Sequence, residues 1–494
     1  MEKDVKTKKI ITTNTIPLSF KNAVECKLPI LEEDVQNIIK LDAKASLNGV
    51  YLGENEVRYD GKVIFSALLG DASLKKCEMG VEFSYKNELK GAMEGGEVSG
   101  KIICENVRVQ VNNGIPIASC AVIFTGESLK KEEIEYIIDA DNLQLKKFQA
   151  ENACVLETIS KPFDLEDEFD LDFTVTEILW HEQNVKISDV VSSIGTVILS
   201  GELELNYLAL NGDNLPILDK KTIPFSFEVD AKSAMPELLC EGSIVVKDCN
   251  LKVLVDETKN KSTVAVIVKL LVKTSVIENE TISYIEDAFS KDYHLNLDKK
   301  TVSLTRYLGE KTIDKAINYK LTTEFEKNTL LNCPLFAKIE EIEIITQTTS
   351  YKASGVAEIG MLINSNGNYA VETARVPFDV EFEKLGDSLY LTASTIRGLT
   401  LSQAGSYLTV DFNVVLRVKE TSFSNYNAVI SIEEREKRVK SNSAISVFIP
   451  NCGDTLWDVC KSIGISEEEL LKINQDLTFP TSGEERIIIY RELK

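Results

Sequence analysis

Apolar and polar residues alternate at every second position through much of the first 425 residues. Successive side chains of an extended strand point to opposite faces, so this alternation predicts strands with one buried face and one solvated face. Many such strands joined by short turns favour a mainly β fold of antiparallel β-sandwiches or open barrels. Three stretches show the pattern most clearly, each beginning with a glycine and ending in a tight polar turn: residues 61–71, 201–213 and 355–367.

A second strand follows each of these stretches at a nearly constant offset. Its phenylalanine comes 22 to 24 residues after the leading glycine, at Phe83, Phe225 and Phe378. Proline lies just before two of them, at Pro224 and Pro377, where a residue without an amide hydrogen suits a strand start or edge. Each copy then closes with a longer alternating hairpin. The leading glycines are 140 and 154 residues apart, too far for a solenoid repeat, so the pattern predicts three β domains in tandem.

Connecting helices are predicted where charged residues precede an apolar stripe. The segments are 32–41, 129–138 and 321–331, and each is expected to pack on a sheet face or to bridge two domains. Residues 431–443 are dense in charge and poor in apolar side chains, so we expect an exposed linker or a short helix there. A flexible tether of this kind would let the segment that follows search for its partner.

The last fifty residues predict a short strand, two helices and a second apolar strand. Gly453 permits the sharp turn that leads out of the first strand. Thr455 and Asp458 have the spacing of a capping box at the start of a helix. Ser466 begins the second helix in the same way, and Asn474 tolerates the left-handed conformation that often ends a helix. The segment therefore predicts a small βααβ unit.

Composition narrows the possible partners and compartments. The chain has 494 residues and a net charge of −23, which disfavours nucleic acids and anionic membrane surfaces as partners. No secretory signal or apolar stretch of membrane-spanning length is visible, so we expect the chain to stay in the cytoplasm of the cell that makes it. Ten cysteines without a CxxC pair and only two histidines disfavour a zinc site, and the thiols are expected to be mostly reduced.

Two candidate catalytic features are weak. Residues 95–101 fit the start of a phosphate loop, but Ile102 stands where magnesium ligation needs serine or threonine. His181 precedes Glu182, an arrangement more typical of a satisfied surface histidine than of acid–base catalysis. The spacing of the carboxylates recommends no localised pair for glycoside cleavage. We therefore predict no enzymatic activity, no cofactor and no metal site.

Two resemblances to known families follow from these motifs. The Gly-Asp-Thr-Leu-Trp run at 453–457 and the predicted βααβ order resemble the LysM module, which is found in proteins that bind glycans or lie in cell and spore envelopes. The glycine-led strand followed by an Ile/Val-Pro-Phe strand resembles the SPOCS domain of spore-coat assembly proteins, some of which end in LysM. The resemblance implies these boundaries: an N-terminal extension (1–19), SPOCS-like β domains (20–145, the most diverged, 146–280 and 281–425), a charged linker (426–444) and LysM (445–492).

The resemblance implies a non-enzymatic structural adaptor made in the mother cell during endospore formation. Such adaptors tie coat layers to a morphogenetic ATPase scaffold at the forespore surface, so the expected partners are that ATPase and other coat proteins. Self-association is compatible with this reading. The alternative is a protein of the cell wall or cortex that binds peptidoglycan, with the LysM module holding GlcNAc polymers.

The LysM family also implies a binding site. Its ligands lie in a shallow groove between the start of the first helix and the loop after the second. The loop at 480–485 lacks the family's usual Pro-Gly turn and is acidic, which disfavours glycan. Trp457 is equally compatible with core packing and with a contact role. Carried onto this sequence, the groove residues are Gly453, Asp454, Thr455, Leu456, Trp457, Asn474, Gln475, Leu477 and Pro480.

Overall fold

A computed structural model describes most of the chain, and its strands show why the alternating pattern dominates the sequence. Within the described residues the protein is mainly β and its sheets are antiparallel and open, as predicted. Only two short α-helices and one 3-10 helix (Glu32–Asn37) occur there. The described residues are 5–70, 73–90, 97–256, 261–322, 330–365, 368–404, 407–439 and 444–490.

The strands fall into three consecutive groups of six, here called units 1, 2 and 3. Unit 1 comprises β1 (Val5–Lys27), β2 (Ile38–Gly53), β3 (Glu56–Gly70), β4 (Leu74–Glu88), β5 (Glu97–Asn112) and β6 (Ile115–Ala140). Unit 2 comprises β7 (Gln144–Leu171), β8 (Val175–Ser193), β9 (Thr196–Asn211), β10 (Pro216–Asp230), β11 (Leu239–Asp256) and β12 (Lys261–Phe289). Unit 3 comprises β13 (Tyr293–Thr322), β14 (Leu330–Thr346), β15 (Ser350–Ser365), β16 (Asn368–Glu383), β17 (Ser388–Ala404) and β18 (Tyr407–Lys437).

Each unit contains the same two three-stranded sheets. One sheet has its last strand in the centre, in the order β1-β6-β5, β7-β12-β11 or β13-β18-β17. The other is a simple meander, in the order β2-β3-β4, β8-β9-β10 or β14-β15-β16. Alternate residues of both sheets form one apolar core per unit, so the period-two pattern of the sequence matches the buried faces.

The repeated glycine and phenylalanine are cross-strand partners. Gly61 of β3 lies opposite Phe83 of β4. A Cβ atom at Gly61 would lie 2.7 Å from the Phe83 ring and would overlap the carbonyl oxygen of Ser46 on β2. Glycine is therefore required because the aromatic ring and the neighbouring strand occupy the space of a side chain. The same pairing recurs in the other units: Gly201 with Phe225, and Gly355 with Phe378.

Apolar junctions join the three units within the described residues. The central junction brings together fully buried leucines of the three meander sheets, Leu68, Leu208 and Leu362. The hairpin junction lies where the long first and last strands of each unit meet, and it includes Tyr136 and Tyr284. Because each junction takes side chains from all three units, the units share buried surface and form one connected body.

The predicted connecting helices are wrong where the structure describes them. Residues 129–138 belong to β6, which pairs with β1 on one side and is flanked by β5 on the other. Its buried Ile134 and Tyr136 alternate with exposed glutamates, a period of two that the charged surroundings obscured. Residues 32–37 form only the short 3-10 helix. Of the segment 321–331, its first two residues end β13 and its last two begin β14, and 323–329 lie outside the described residues.

Several predicted boundaries also fall inside strands. Most of the segment assigned as an N-terminal extension, from Val5 onward, belongs to β1. Residue 280 lies within β12 and residue 425 within β18. The charged residues up to Lys437 continue β18 and pair with β13, so the linker prediction is wrong for this part. The long first and last strands of each unit extend beyond its two packed sheets, and their ends pack together in the hairpin junction.

The C-terminal segment forms a small module, here called the C-terminal module, with the predicted order of elements. Its strands pair antiparallel, and its helices supply an apolar core that includes Val459, Cys460 and Leu470 and also takes in Phe289 of unit 2. None of the helices among the described residues is long and apolar enough to cross a membrane. The elements of the module are β19 (Ile445–Phe448), α1 (Leu456–Ile463), α2 (Glu467–Ile473) and β20 (Ile487–Tyr490).

Candidate functional site

The first turn of α1 is closed by a reciprocal pair of hydrogen bonds. The Asp458 amide donates to Thr455 Oγ1 at 3.3 Å, and the Thr455 amide donates to Asp458 Oδ2 at 3.0 Å. Hydrogen bonds from Thr455 lower the pKa of Asp458. The predicted capping box is therefore confirmed, and it uses the polar groups of Thr455 that the LysM resemblance assigns to the groove.

The start of α1 and the loop after α2 lie side by side. The Gly453 amide donates to the Thr481 carbonyl at 2.7 Å, and the Thr481 amide donates to the Asp454 carbonyl at 3.0 Å. Gly453 has a φ of +90°, which explains why glycine stands at this turn. Leu456 and Leu477 pack in the core of the module. The two predicted edges of the groove are thus adjacent, and their backbone groups are bonded to each other.

Asn474 ties the end of α2 to the second strand of the module. Its Nδ2 donates to the Leu470 carbonyl at 3.1 Å and to the Ile488 carbonyl at 2.9 Å. Its Oδ1 accepts from the Ile488 amide at 2.8 Å. The side-chain amide is therefore occupied within the module, while Gln475 and Pro480 lie exposed beside it.

Trp457 packs against the core of the module and also contacts unit 2. Its Nε1 donates to Asp287 Oδ2 at 2.8 Å, and its ring meets Phe289 edge-on with 5.0 Å between centroids. Lys461, one turn further along α1, donates to both Asp287 oxygens at 2.6 and 2.7 Å. Burial disfavours ionisation of Asp287, but the hydrogen bonds from Lys461 and Trp457 outweigh it and lower its pKa. We call these four residues the latch.

Two further contacts hold the C-terminal module against the body. Lys291 forms an ion pair with Glu469 at 2.8 Å, and this contact lowers the pKa of Glu469. Arg438 donates to the carbonyls of Lys461 and Ser462 at 2.8 and 3.1 Å, where α1 leaves its last carbonyls without helical partners. The guanidinium also suits the negative end of the helix dipole.

The expectation of a freely searching module is therefore wrong. The latch and the contacts of Lys291 and Arg438 attach α1 and α2 to the end of β12 and to the turn that follows it. The latch partners lie about 170 residues apart in the chain, so no local pattern could have revealed them. Trp457 packs against the apolar core of the module and contacts unit 2, in line with the core-packing alternative, and its role in partner binding stays a prediction.

One face of the module stays exposed and apolar. In the pairing of β19 with β20, Ile445 lies opposite Tyr490 and Val447 opposite Ile488. These four side chains are 39% to 58% exposed, whereas Ile487 and the other inward residues of β20 are buried. We call the four the outer sheet face. Sequence reasoning missed it, although the unbroken apolar run Ile487–Tyr490 leaves that strand no polar face for solvent.

The structure places both weak catalytic candidates within strands, His181 in β8 and residues 97–101 in β5. His181 is half-buried rather than a surface group, and burial together with Lys44 and Lys76 lowers its pKa to about 3. Burial raises the pKa of Glu182 to about 7. Residues 97–101 belong to β5 and pair with β6, so they form a ladder rather than a phosphate cradle; residues 95 and 96 lie outside the described residues.

A cavity of about 630 Å³ lies between units 1 and 2, beside His181. Its lysines already have partners: Lys76 pairs with Glu78 at 2.5 Å, and Lys247 donates to the Leu47 carbonyl at 2.5 Å. The geometry therefore points to the C-terminal module, rather than to this cavity, as the candidate functional site.

Comparisons with family models, curated proteins and solved structures found no match in any of the three. The resemblance to SPOCS and LysM domains accordingly rests on the sequence motifs alone.

Proposed function

We propose that this protein is a non-enzymatic structural adaptor of the endospore coat. In this proposal the C-terminal module binds the morphogenetic ATPase scaffold at the forespore surface, and the three β units carry surfaces for other coat proteins. The SPOCS and LysM resemblances supply the biological setting. The single observation that carries the binding role is the exposed outer sheet face of the module.

The outer sheet face suits a protein partner. Four apolar side chains stand in two adjacent cross-strand pairs on one exposed face of the β19–β20 sheet. Fully burying an aliphatic side chain of this size contributes roughly 1.5–3 kcal/mol. Apolar contacts of this kind can anchor a protein interface, because the gain comes from area removed from water rather than from hydrogen bonds.

The groove itself is less suited to a glycan. Sugar hydroxyls need free donors and acceptors, but the side chains of Thr455 and Asn474 are already bonded within the module. The Trp457 ring, which could stack on a sugar, packs against Phe289. A GlcNAc polymer would therefore have to replace internal contacts before it could bind.

The fixed attachment of the module favours an adaptor that holds the three units in place over a module that moves freely on a tether. Because the latch fixes the module to unit 2, the position of the module also fixes that of unit 2. The central and hairpin junctions in turn connect unit 2 to units 1 and 3. Pre-organised surfaces lose less entropy when they bind than tethered ones do. A scaffold-bound module would therefore hold the three units in a defined orientation.

The test measures binding of the full chain to the purified coat ATPase by biolayer interferometry. Combined Val447→Ser and Ile488→Ser substitutions should weaken affinity at least about tenfold, which corresponds to about 1.4 kcal/mol. Ile345→Ser, at a similarly exposed apolar position on unit 3, is the matched control and should change nothing. Retention on purified peptidoglycan without ATPase binding would reverse the assignment in favour of the glycan-binding alternative.

A further inference from the structure

A second exposed apolar surface lies at one end of unit 2, far from the module. Its members come from β7, from β8, from the turn between β8 and β9, and from the segment that leads into β11. They are 36% to 75% exposed, with Ile194 in the turn the most exposed of all. We call this surface the unit 2 patch, and it comprises Val155, Leu156, Val191, Ile194, Met235 and Leu239.

Backbone contacts show that these residues form one surface. The Gly195 amide, next to Ile194, donates to the Ala234 carbonyl at 3.0 Å. Ser233 donates from its amide and its hydroxyl to Glu157 at 3.0 and 2.9 Å, which brings the same segment against β7. Leu239 and Val155 occupy the same cross-strand row, on either side of Ile277.

The apolar side chain in this turn is a property of unit 2 rather than of the repeat. In unit 1 the turn between the first two meander strands consists of Glu54 and Asn55. In unit 3 the same turn is Gln347 to Thr349, again polar. A tight turn needs no apolar side chain, and Gly195 alone provides the positive φ that this one uses. An isoleucine that is three-quarters exposed at this position therefore has no role in the local fold.

The charges around the patch are mainly acidic, with Lys232 beside Glu157 as a basic neighbour. Within two positions of a patch residue, the sequence has four acidic residues and no lysine or arginine: Glu157, Asp189, Glu237 and Glu241. Glu241 is paired with Lys419 at 2.6 Å. Since the chain as a whole carries a net charge of −23, a second copy would meet the patch with repulsion, and a basic partner would meet it with attraction.

We propose that the unit 2 patch binds a segment of another protein that has an apolar face and basic flanks. The patch and the latch are well separated, because Ile277 and Ala288 lie eleven residues apart on β12, roughly 35 Å in an extended strand. The chain then carries two partner surfaces on one connected body. Only the biological role of the second partner rests on the proposed adaptor function, since the patch stands on its own geometry.

The test uses two labelled amphipathic peptides with the same leucine face, one with lysine flanks and one with glutamate flanks. Fluorescence anisotropy measures their binding to the full chain carrying Val447→Ser and Ile488→Ser, so that the outer sheet face does not compete. Adding Ile194→Ser and Met235→Ser should weaken binding of the lysine-flanked peptide at least about tenfold. The matched control adds Ile345→Ser and Leu385→Ser, two exposed apolar positions on unit 3.

Three results would overturn the proposal. One is equal affinity with and without the patch substitutions, provided that thermal unfolding shows both proteins folded. Another is equal binding of the glutamate-flanked peptide, which would remove the charge preference. The third is patch-dependent dimerisation in sedimentation velocity, which would make a second copy the occupant. Because the outer sheet face is already altered in these proteins, a negative result here leaves the proposed ATPase binding untouched, and the reverse also holds.

Discussion

Removing the carboxylate of Asp287 should release the C-terminal module from the body. This side chain is 14% exposed and accepts hydrogen bonds from both Trp457 and Lys461, which is itself 41% exposed. Hydrogen bonds to a charged group contribute about 1.5–3 kcal/mol each when buried, and partial exposure of the lysine reduces that value. For Asp287→Ala we therefore expect a loss of about 2 kcal/mol in docking free energy, or roughly a thirtyfold shift toward the undocked module.

Tryptophan fluorescence can measure this release directly. The chain has two tryptophans, and Trp180 is 4% exposed in the central junction, so a change at the protein surface reports on Trp457. Loss of the contact with Phe289 should move the emission maximum of Asp287→Ala to longer wavelength. Hydrogen exchange of the α1 amides should keep its pattern, because the capping box and the core residues Val459, Cys460, Leu470 and Ile487 all lie within the module.

Asp298→Ala is the matched control, since it removes an exposed aspartate from the neighbouring strand β13 without touching the latch. The physical account of the latch would be refuted if Asp287→Ala and Asp298→Ala had the same emission maximum. It would also fail if Asp287→Ala unfolded the module itself, because the carboxylate would then support the fold of α1 rather than its docking.

Three further outcomes follow from the same structure. Acidification should undock the module. Because the pKa of Asp287 is lowered in the folded protein, its contribution to docking is full above the ordinary aspartate pKa near 4 and is lost as pH falls through the lowered value. The shift in tryptophan emission should therefore occur below about pH 4 and be absent in Asp287→Ala. Gly201→Ala should destabilise the protein by about 1–3 kcal/mol in chemical denaturation, because its Cβ would lie 2.7 Å from the Phe225 ring, whereas Gly212→Ala, with 3.7 Å to the nearest atom, should be tolerated. Leu208→Ala should lower the free energy of unfolding by about 2–5 kcal/mol and lower the thermal stability of all three units together. Separate thermal transitions with only unit 2 affected would contradict a shared central junction.

Local patterns predicted much of the fold because strand pairing within each unit is mostly between neighbours in sequence. The offset between Gly201 and Phe225 is the length of a hairpin, so two residues that share a contact in space also recur at a constant spacing. The capping box of Thr455 and Asp458 is likewise local, since both halves of the interaction lie within one helical turn.

Features that depend on distant partners were mispredicted or missed. Residues 129–138 combine charge and apolar side chains in a way that a helix also permits, and only pairing with β1, more than a hundred residues earlier, makes them a strand. The unit 2 patch gathers residues from four segments of the chain, so no single segment indicates it.

The amino-acid sequence by itself determined the mainly β character, the repeat of strands and the order of elements in the C-terminal module, because backbone alternation, turns and caps act over a few residues. Only the tertiary structure decided how the three units share their junctions and which face of the module meets solvent. The reason is that burial and ion pairing depend on which distant surfaces meet, as when Asp287 of unit 2 accepts hydrogen bonds from Trp457 and Lys461 of the C-terminal module.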